Sequence, residues 1–191
     1  MLKKLENILN YSQPHFYKFS RDSVELAILA TELESEKKSL SILELFAGSG
    51  VISIEFQTRH NSVKDITFVE LQEEFKNHLE ENSKILTCNY SIHITNFKDF
   101  LNKKKYDVIL ANPPYFDPSR SRLGSDANRN ICRFTMNFKF QDLIKKVEDC
   151  LNPGGVAYFS HRDNLEELDS RITRMGDYEE VGLFRFCLDV D

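Results

Sequence analysis

ILELFAGSGVISIEFQTR, residues 42–59, decides the fold of this chain. Its opening residues, 42–46, are an apolar run short enough to be a buried strand, and 50–59 carry a helical pattern. Between them Ala47-Gly48-Ser49-Gly50 supplies two glycines where the chain must turn sharply from one element into the other. Strand, glycine turn and helix form the start of a βαβ unit, and the same texture continues downstream. Strands are predicted at 66–69, 92–95, 106–111 and 156–160, and helices at 72–84, 138–151 and 164–174. The last stretch, 178–190, is β-rich and is expected to add one or two strands at an edge. Upstream, residues 1–21 are irregular and rich in aromatics (Tyr11, Phe16, Tyr17, Phe19). Asp22 with Glu25 then makes a capping-box-like start to a helix over 23–36, whose Leu26, Leu29, Ala30 and Leu33 share one face. Alternation of this kind predicts an α/β fold with a mostly parallel central sheet, helices on both faces and an antiparallel edge strand. With no repeat, low-complexity segment or linker, a single domain over 1–191 is expected, with 1–40 as an N-terminal segment and helix and 41–191 as the core.

The 191 residues are 41% hydrophobic and 29% charged, a globular composition sufficient for one core. The longest apolar runs, Ala27 to Ala30 and Val108 to Ala111, fall far short of the ~20 residues of a membrane span. The N-terminus has two lysines but no apolar stretch or cleavage site of the secretory kind, so a soluble cytoplasmic protein is expected. Cys88, Cys132, Cys150 and Cys187 have neither metal-ligand nor disulfide-framework spacing, and no metal is expected. The net charge of -5 argues against a generally basic nucleic-acid binder. Its distribution is uneven: residues 117–146 hold seven Lys/Arg against three acids, whereas 163–191 hold three against nine. That asymmetry permits one basic face on an acidic protein.

Two features carry chemistry. The glycine turn lacks the Lys-Ser/Thr of a phosphate-binding loop and is not a full GxGxxG, so pyrophosphate is not its obvious ligand. Glu70 closes the second strand 20 residues after Gly50, a spacing that suits a carboxylate bonding both hydroxyls of an adenosine ribose. The second feature is Asn112-Pro113-Pro114-Tyr115 after the fourth strand. Two prolines fix φ and remove two N–H donors, which stiffens the loop. The Asn112 side-chain oxygen and the Pro113 carbonyl can accept both hydrogens of a planar NH2 group and direct its lone pair at an electrophile. Tyr115 offers a flat surface on which a base can stack.

LELFAGSG, Glu70 after Phe68-Val69, and NPPYF, in this order, resemble the class I S-adenosylmethionine-dependent methyltransferases that act on planar nitrogens. The resemblance implies a Rossmann-like fold and S-adenosyl-L-methionine as cofactor. Ala47, Gly48 and Gly50 would line the methionine part of the cofactor and Glu70 would hold its ribose, with Glu44 and Leu71 beside them. Asn112, Pro113, Pro114 and Tyr115 would form the catalytic loop, Asn112 also facing the cofactor. FYKFSRDSVELA resembles the segment in which Phe19, Ser20 and Asp22 close over the cofactor. In ITNFKDF the acid that usually meets the adenine amino group is replaced by Asn96, with Asp99 as second candidate and Phe97 packing on the adenine face.

Within that group the chain looks most like tRNA adenine-N6 methyltransferases of the valine-tRNA type, which implies RNA, tRNA above all, as partner; the oligomeric state is not inferable from the sequence, a monomer being favoured. Phe116 and the arginines that follow, Arg120, Arg122, Arg129 and Arg133, would meet the RNA, with Phe134, Phe138 and Phe140 available for stacking or core. Guanine-N2 methylation of rRNA and protein-glutamine methylation are the alternatives. Asn112 in place of an initial Asp disfavours the first, and the short stretch before the first strand disfavours the second. A non-catalytic cofactor- or RNA-binding assembly factor is the alternative of another class, and it has no need of the Asn112 loop.

Overall fold

The computed structural model describes residues 10–101, 104–120, 122–135 and 139–188. In chain order the elements are α1 (Arg21–Leu33), β1 (Leu40–Leu45), α2 (Val51–Arg59), β2 (Val63–Glu70), a 3₁₀ turn at Glu73–Phe75 leading into α3 (Lys76–Ser83), β3 (Asn89–Ile94), β4 (Tyr106–Ala111), α4 (Ala127–Arg133), α5 (Phe140–Cys150), β5 (Leu151–His161), β6 (Ile172–Tyr178) and β7 (Val181–Cys187). Seven strands form one sheet in the order β3-β2-β1-β4-β5-β7-β6. The first five are parallel, and β7 runs antiparallel to both β5 and β6. This is the expected Rossmann-like architecture.

All six residues of β1 are buried because the strand lies at the centre and is covered on both sides. Its alternation divides the core. Leu40 and Ile42 join Val24, Leu26 and Ala27 of α1 and Ile52, Ile54 and Phe56 of α2 on one face. Leu43 and Leu45 join Leu143, Ile144 and Val147 of α5 on the other. Strand order reverses between β1 and β4, so a crevice opens outside their carboxyl ends. Register brings the three decisive segments to that edge: Leu45 pairs with Val69 and with Ala111, one residue before Phe46, Glu70 and Asn112.

Several expectations are corrected. The helix expected over 164–174 is only a 3₁₀ turn at Leu165–Glu167, and Ile172 begins β6 instead. Leu165, Leu168 and Ile172 imitate helical spacing, but Asp169 accepts from the Arg171 backbone N–H at 2.9 Å and binds its guanidinium, turning the chain so that Ile172 pairs with Phe186. The 23–36 helix starts earlier, at Arg21 after Ser20; Asp22 accepts from the Ser20 hydroxyl and Glu25 pairs with Arg21, so no Asp22–Glu25 capping box forms. The strand of 178–190 lies inside the sheet, with β6 outermost. α4 was not expected at all. Residues 1–9 of the N-terminal expectation, Phe138 of the 138–151 helix and residues 189–190 at the C-terminal end lie outside the described residues.

Candidate active site

The glycine turn leaves β1 with Phe46 at φ 58°, a conformation a bulky residue rarely takes, and continues through Gly48 at φ 51° and Gly50 at φ 78°. It is tied to the next strand by Glu70. The Gly48 N–H donates to Glu70 Oε2 at 2.8 Å and the Gln72 N–H to Oε1 at 2.9 Å. Burial pushes the Glu70 carboxyl above its ordinary range, and these N–H bonds oppose the rise. Each carboxylate oxygen keeps acceptor capacity for a ligand hydroxyl.

Glu70, Leu71 and Gln72 line an inner cavity of about 90 Å3, together with Gly48, Phe46, Phe97, Asn96 and, from the α4 side, Ile131, Cys132 and Phe134. Phe46 and Phe97 pack with ring centroids 5.0 Å apart. Asn96 Oδ1 accepts from the Lys98 N–H at 3.0 Å, capping a turn. Asp99, the second candidate, is exposed and is not among the lining residues. A neighbouring cavity of about 50 Å3 is lined by Phe19, Glu44, Ala47 and Gly48. Gly50 lines neither cavity. It is needed for packing: a Cβ there would lie 2.5 Å from Leu79 Cδ1 and 3.3 Å from Phe68 Cε1.

Glu44 is buried beneath this cavity and accepts from the Ser53 N–H of α2 at 2.8 Å. Burial pushes its pKa up to about 7, the Ser53 bonds opposing. Because the folded state holds the proton more tightly than the unfolded chain, this group's stabilising contribution is full below pH 4.5 and is lost as pH rises towards 7. Denaturant unfolding between pH 4 and 8 is expected to show that decline flattened in Glu44→Gln.

On the other side of Asn112 an outer cleft of about 420 Å3 is lined by Pro113, Pro114, Tyr115, Phe116, Ser20, Lys18, Arg129, Arg133 and Arg162. Asn112 and Tyr17 line all three spaces and form the wall between them. Asn112 Nδ2 donates to Ser23 Oγ in α1 at 2.9 Å. Arg162 lies over Tyr115 and Phe116, 5.7 and 5.1 Å from the ring centroids, while Arg133 lies 4.9 Å from that of Phe116. Burial pushes the Tyr115 phenol pKa up, the Asp22 charge adding and Arg162 opposing.

Residues 117–140, read as an arginine-bearing loop, carry α4, which is stitched across the site. The Phe116 N–H donates to the Arg133 carbonyl and the Thr135 N–H to the Phe116 carbonyl, both at 2.9 Å. Beside that bridge Gln72 Nε2 reaches Cys132 Sγ at 3.0 Å, and at the far end of the helix Asn128 Nδ2 reaches Glu74 Oε1 at 2.9 Å. Of the four predicted arginines the fold brings Arg129 and Arg133 into the cleft. Arg120 is exposed beside Asp117 and Arg122 is exposed, and neither lines the cleft. Ser20 faces this cleft and not the inner cavities. Phe134 is buried and Phe140 packs on Phe159.

The model of the family described as Conserved hypothetical protein 95 matches residues 20–123, more than half of the chain. The chain belongs to that family. The family match spans α1, the glycine turn, Glu70 and the Asn112 loop, and ends before α4. Among relatives, a tRNA1(Val) (adenine(37)-N6)-methyltransferase of Glaesserella parasuis is 28% identical over 134 residues, 69% of this chain and 55% of that protein. A ribosomal RNA large subunit methyltransferase K/L of Alcanivorax borkumensis is 33% identical over 79 residues, 41% of this chain and 10% of that protein. The chain spans about half the length of the tRNA methyltransferase relatives it matches. The crystal structure of a ribosomal protein L11 methylase from Lactobacillus delbrueckii shares the fold with TM-score 0.63 at 19% identity, over 90% of this chain and 81% of that one.

Tyr17, Lys18, Gln72, Cys132 and Arg162 line the inner cavity or the cleft and are not among the residues expected there from the sequence. Arg162 had a signal, since it directly follows β5, whose carboxyl end borders the crevice. Gln72 had one too, two residues after Glu70. Tyr17 and Lys18 had none beyond the aromatic texture of the N-terminal segment, because only tertiary packing folds that segment over the turn. Among the described residues no helix is long and apolar enough to cross a membrane, and no group of three or more His, Cys, Asp or Glu is placed to hold a metal ion.

Proposed function

We propose that this chain transfers a methyl group from S-adenosylmethionine to the exocyclic amino nitrogen of a nucleobase, adenine N6 in tRNA. The observation that carries the reading is Asn112, which stands between an inner cavity lined by Glu70, Leu71 and Phe97 on one side and a cationic, aromatic cleft on the other. The inner side carries the groups that would hold an adenosyl moiety. Glu70 offers a carboxylate, Leu71 and Phe97 offer apolar surface, and Gly48 has no Cβ to fill the space, the nearest atom to one being Phe75 Cε1 at 3.6 Å. When bound, the cofactor supplies the electrophilic methyl.

The residues of the wall then do the rest. Ser23 takes the nitrogen end of the Asn112 amide, which leaves Oδ1 for the substrate. Asn112 Oδ1 and the Pro113 carbonyl accept the two hydrogens of the amino group, hold the nitrogen in line and stabilise the positive charge it acquires on attack. No covalent enzyme intermediate is needed. The names of the tRNA adenine-N6 relatives support adenine as the base. RNA as partner, the cytoplasm as location and a single chain as the working unit go with this reading. Methyl transfer from labelled cofactor into RNA lacking the modification, followed by nucleoside analysis, is expected to yield N6-methyladenine. N2-methylguanine or methylglutamine as sole product would overturn it.

On this reading the RNA contacts lie in the cleft. Changing Arg129, Arg133 and Arg162 to Gln is expected to weaken RNA binding and to flatten its salt dependence by roughly 2 in the log–log slope, at about 0.7 per phosphate of a single strand. Arg120→Gln with Arg122→Gln is expected to leave the slope unchanged. Titrations over a range of salt concentrations check both.

A further inference from the structure

Gln72 stands between the inner cavity and α4. It is 6% exposed; its N–H is spent on Glu70 and its Nε2 on Cys132, while Oε1 has no partner and the residue lines the cavity. A buried amide oxygen without a donor is a cost that a ligand can relieve. We propose that Gln72 is a ligand-contacting residue, the free end of its carboxamide pairing with a ribose hydroxyl of an adenosyl ligand held by Glu70 and so fastening α4 over that ligand. The proposal rests on the cofactor reading given above.

Three observations carry it. The Gln72 backbone N–H donates to Glu70 Oε1 and both residues line the inner cavity, so the carboxamide borders the same space as the carboxylate that would hold a hydroxyl pair. A hydroxyl both donates and accepts, and completes whichever end of the carboxamide it meets. Finally, about 90 Å3 is well below the roughly 300–1,000 Å3 of ligand sites, so α4 must lift to admit a nucleoside and settle again on it. The ties that α4 has to release at this end are weak ones. Cys132 is a neutral thiol, its pKa pushed up to about 12 by burial, and the Asn128–Glu74 bond is exposed. Since α4 also carries Arg129 and Arg133, an adenosyl ligand that fastens it organises the outer cleft.

Calorimetry with S-adenosylhomocysteine and its 2′-deoxy and 3′-deoxy forms, on wild type, Gln72→Leu and Gln72→Asn, tests the contact. Hydrogen exchange of the 131–134 amides with and without S-adenosylhomocysteine tests the fastening. The wild type is expected to discriminate against one deoxy ligand about fivefold more strongly than either variant, the worth of one hydrogen bond. Ligand-induced protection of 131–134 is expected in wild type and to be lost in both variants. Asn retains the amide but is too short to span Cys132 and the ligand together, so it separates reach from any loss of fold in the Leu variant. Equal discrimination in all three proteins would overturn the contact, and equal protection would overturn the fastening. Failure of the wild type to bind S-adenosylhomocysteine at all would overturn the cofactor reading itself.

Discussion

Asn112→Ala is expected to lower kcat by roughly 10²–10³-fold while leaving affinity for S-adenosylhomocysteine within a factor of two or so, because it removes an acceptor whose bond strengthens only as the substrate nitrogen becomes positive. The side chain's other bond, from Nδ2 to Ser23 Oγ, is a single neutral one worth about 1 kcal/mol, so the fold survives. Single-turnover rates with saturating RNA, beside calorimetry on the same preparation, check the split. An equal loss of cofactor affinity would place Asn112 in binding and not in catalysis. The neighbouring Tyr115 carries a different expectation, since its ring already packs against Phe116 and His161, at centroid distances of 5.0 and 5.8 Å. Substitution there disturbs the cleft wall as well as any base that stacks in it.

Gly50→Ala is expected to destabilise the protein by roughly 2–4 kcal/mol, through two additive causes. At φ 78° an L side chain is strained, and its Cβ would sit 2.5 Å from Leu79 Cδ1, where Leu79 is fully buried between α3 and the sheet. Melting should fall by about 5–15 °C for a chain of this size. Gly176→Ala is the control: no heavy atom lies within 4 Å of its Cβ position, and its melting temperature is expected to stay close to wild type. A near-neutral Gly50→Ala would mean that α3 can retreat from the turn. Both glycines of the turn thus have reasons of their own, Gly48 leaving space for a ligand and Gly50 leaving space for the core.

The five parallel strands and the place of the crevice are legible in the sequence. Apolar runs at 42–46, 66–69 and 106–111 are local signals, strong because strands of a parallel sheet are buried on both faces, and the glycines, Glu70 and the Asn112 loop sit at their carboxyl ends by chain order alone. Tertiary structure decided what those local signals do not contain. Leu165, Leu168 and Ile172 keep helical spacing, yet the pairing of Ile172 with Phe186 and the Asp169–Arg171 turn make that segment a turn and a strand. α4 has no buried residue, so no apolar period announces it; its Asp126 cap, the 116–134 ladder and the contact with Gln72 hold it in place. Which arginines reach the cleft, and that Tyr17, Gln72 and Arg162 join its walls, follow from contacts such as Gln72–Cys132 and Arg162–Phe116, 60 and 46 positions apart. Such contacts leave no periodic trace, because each depends on where the sheet delivers the other partner.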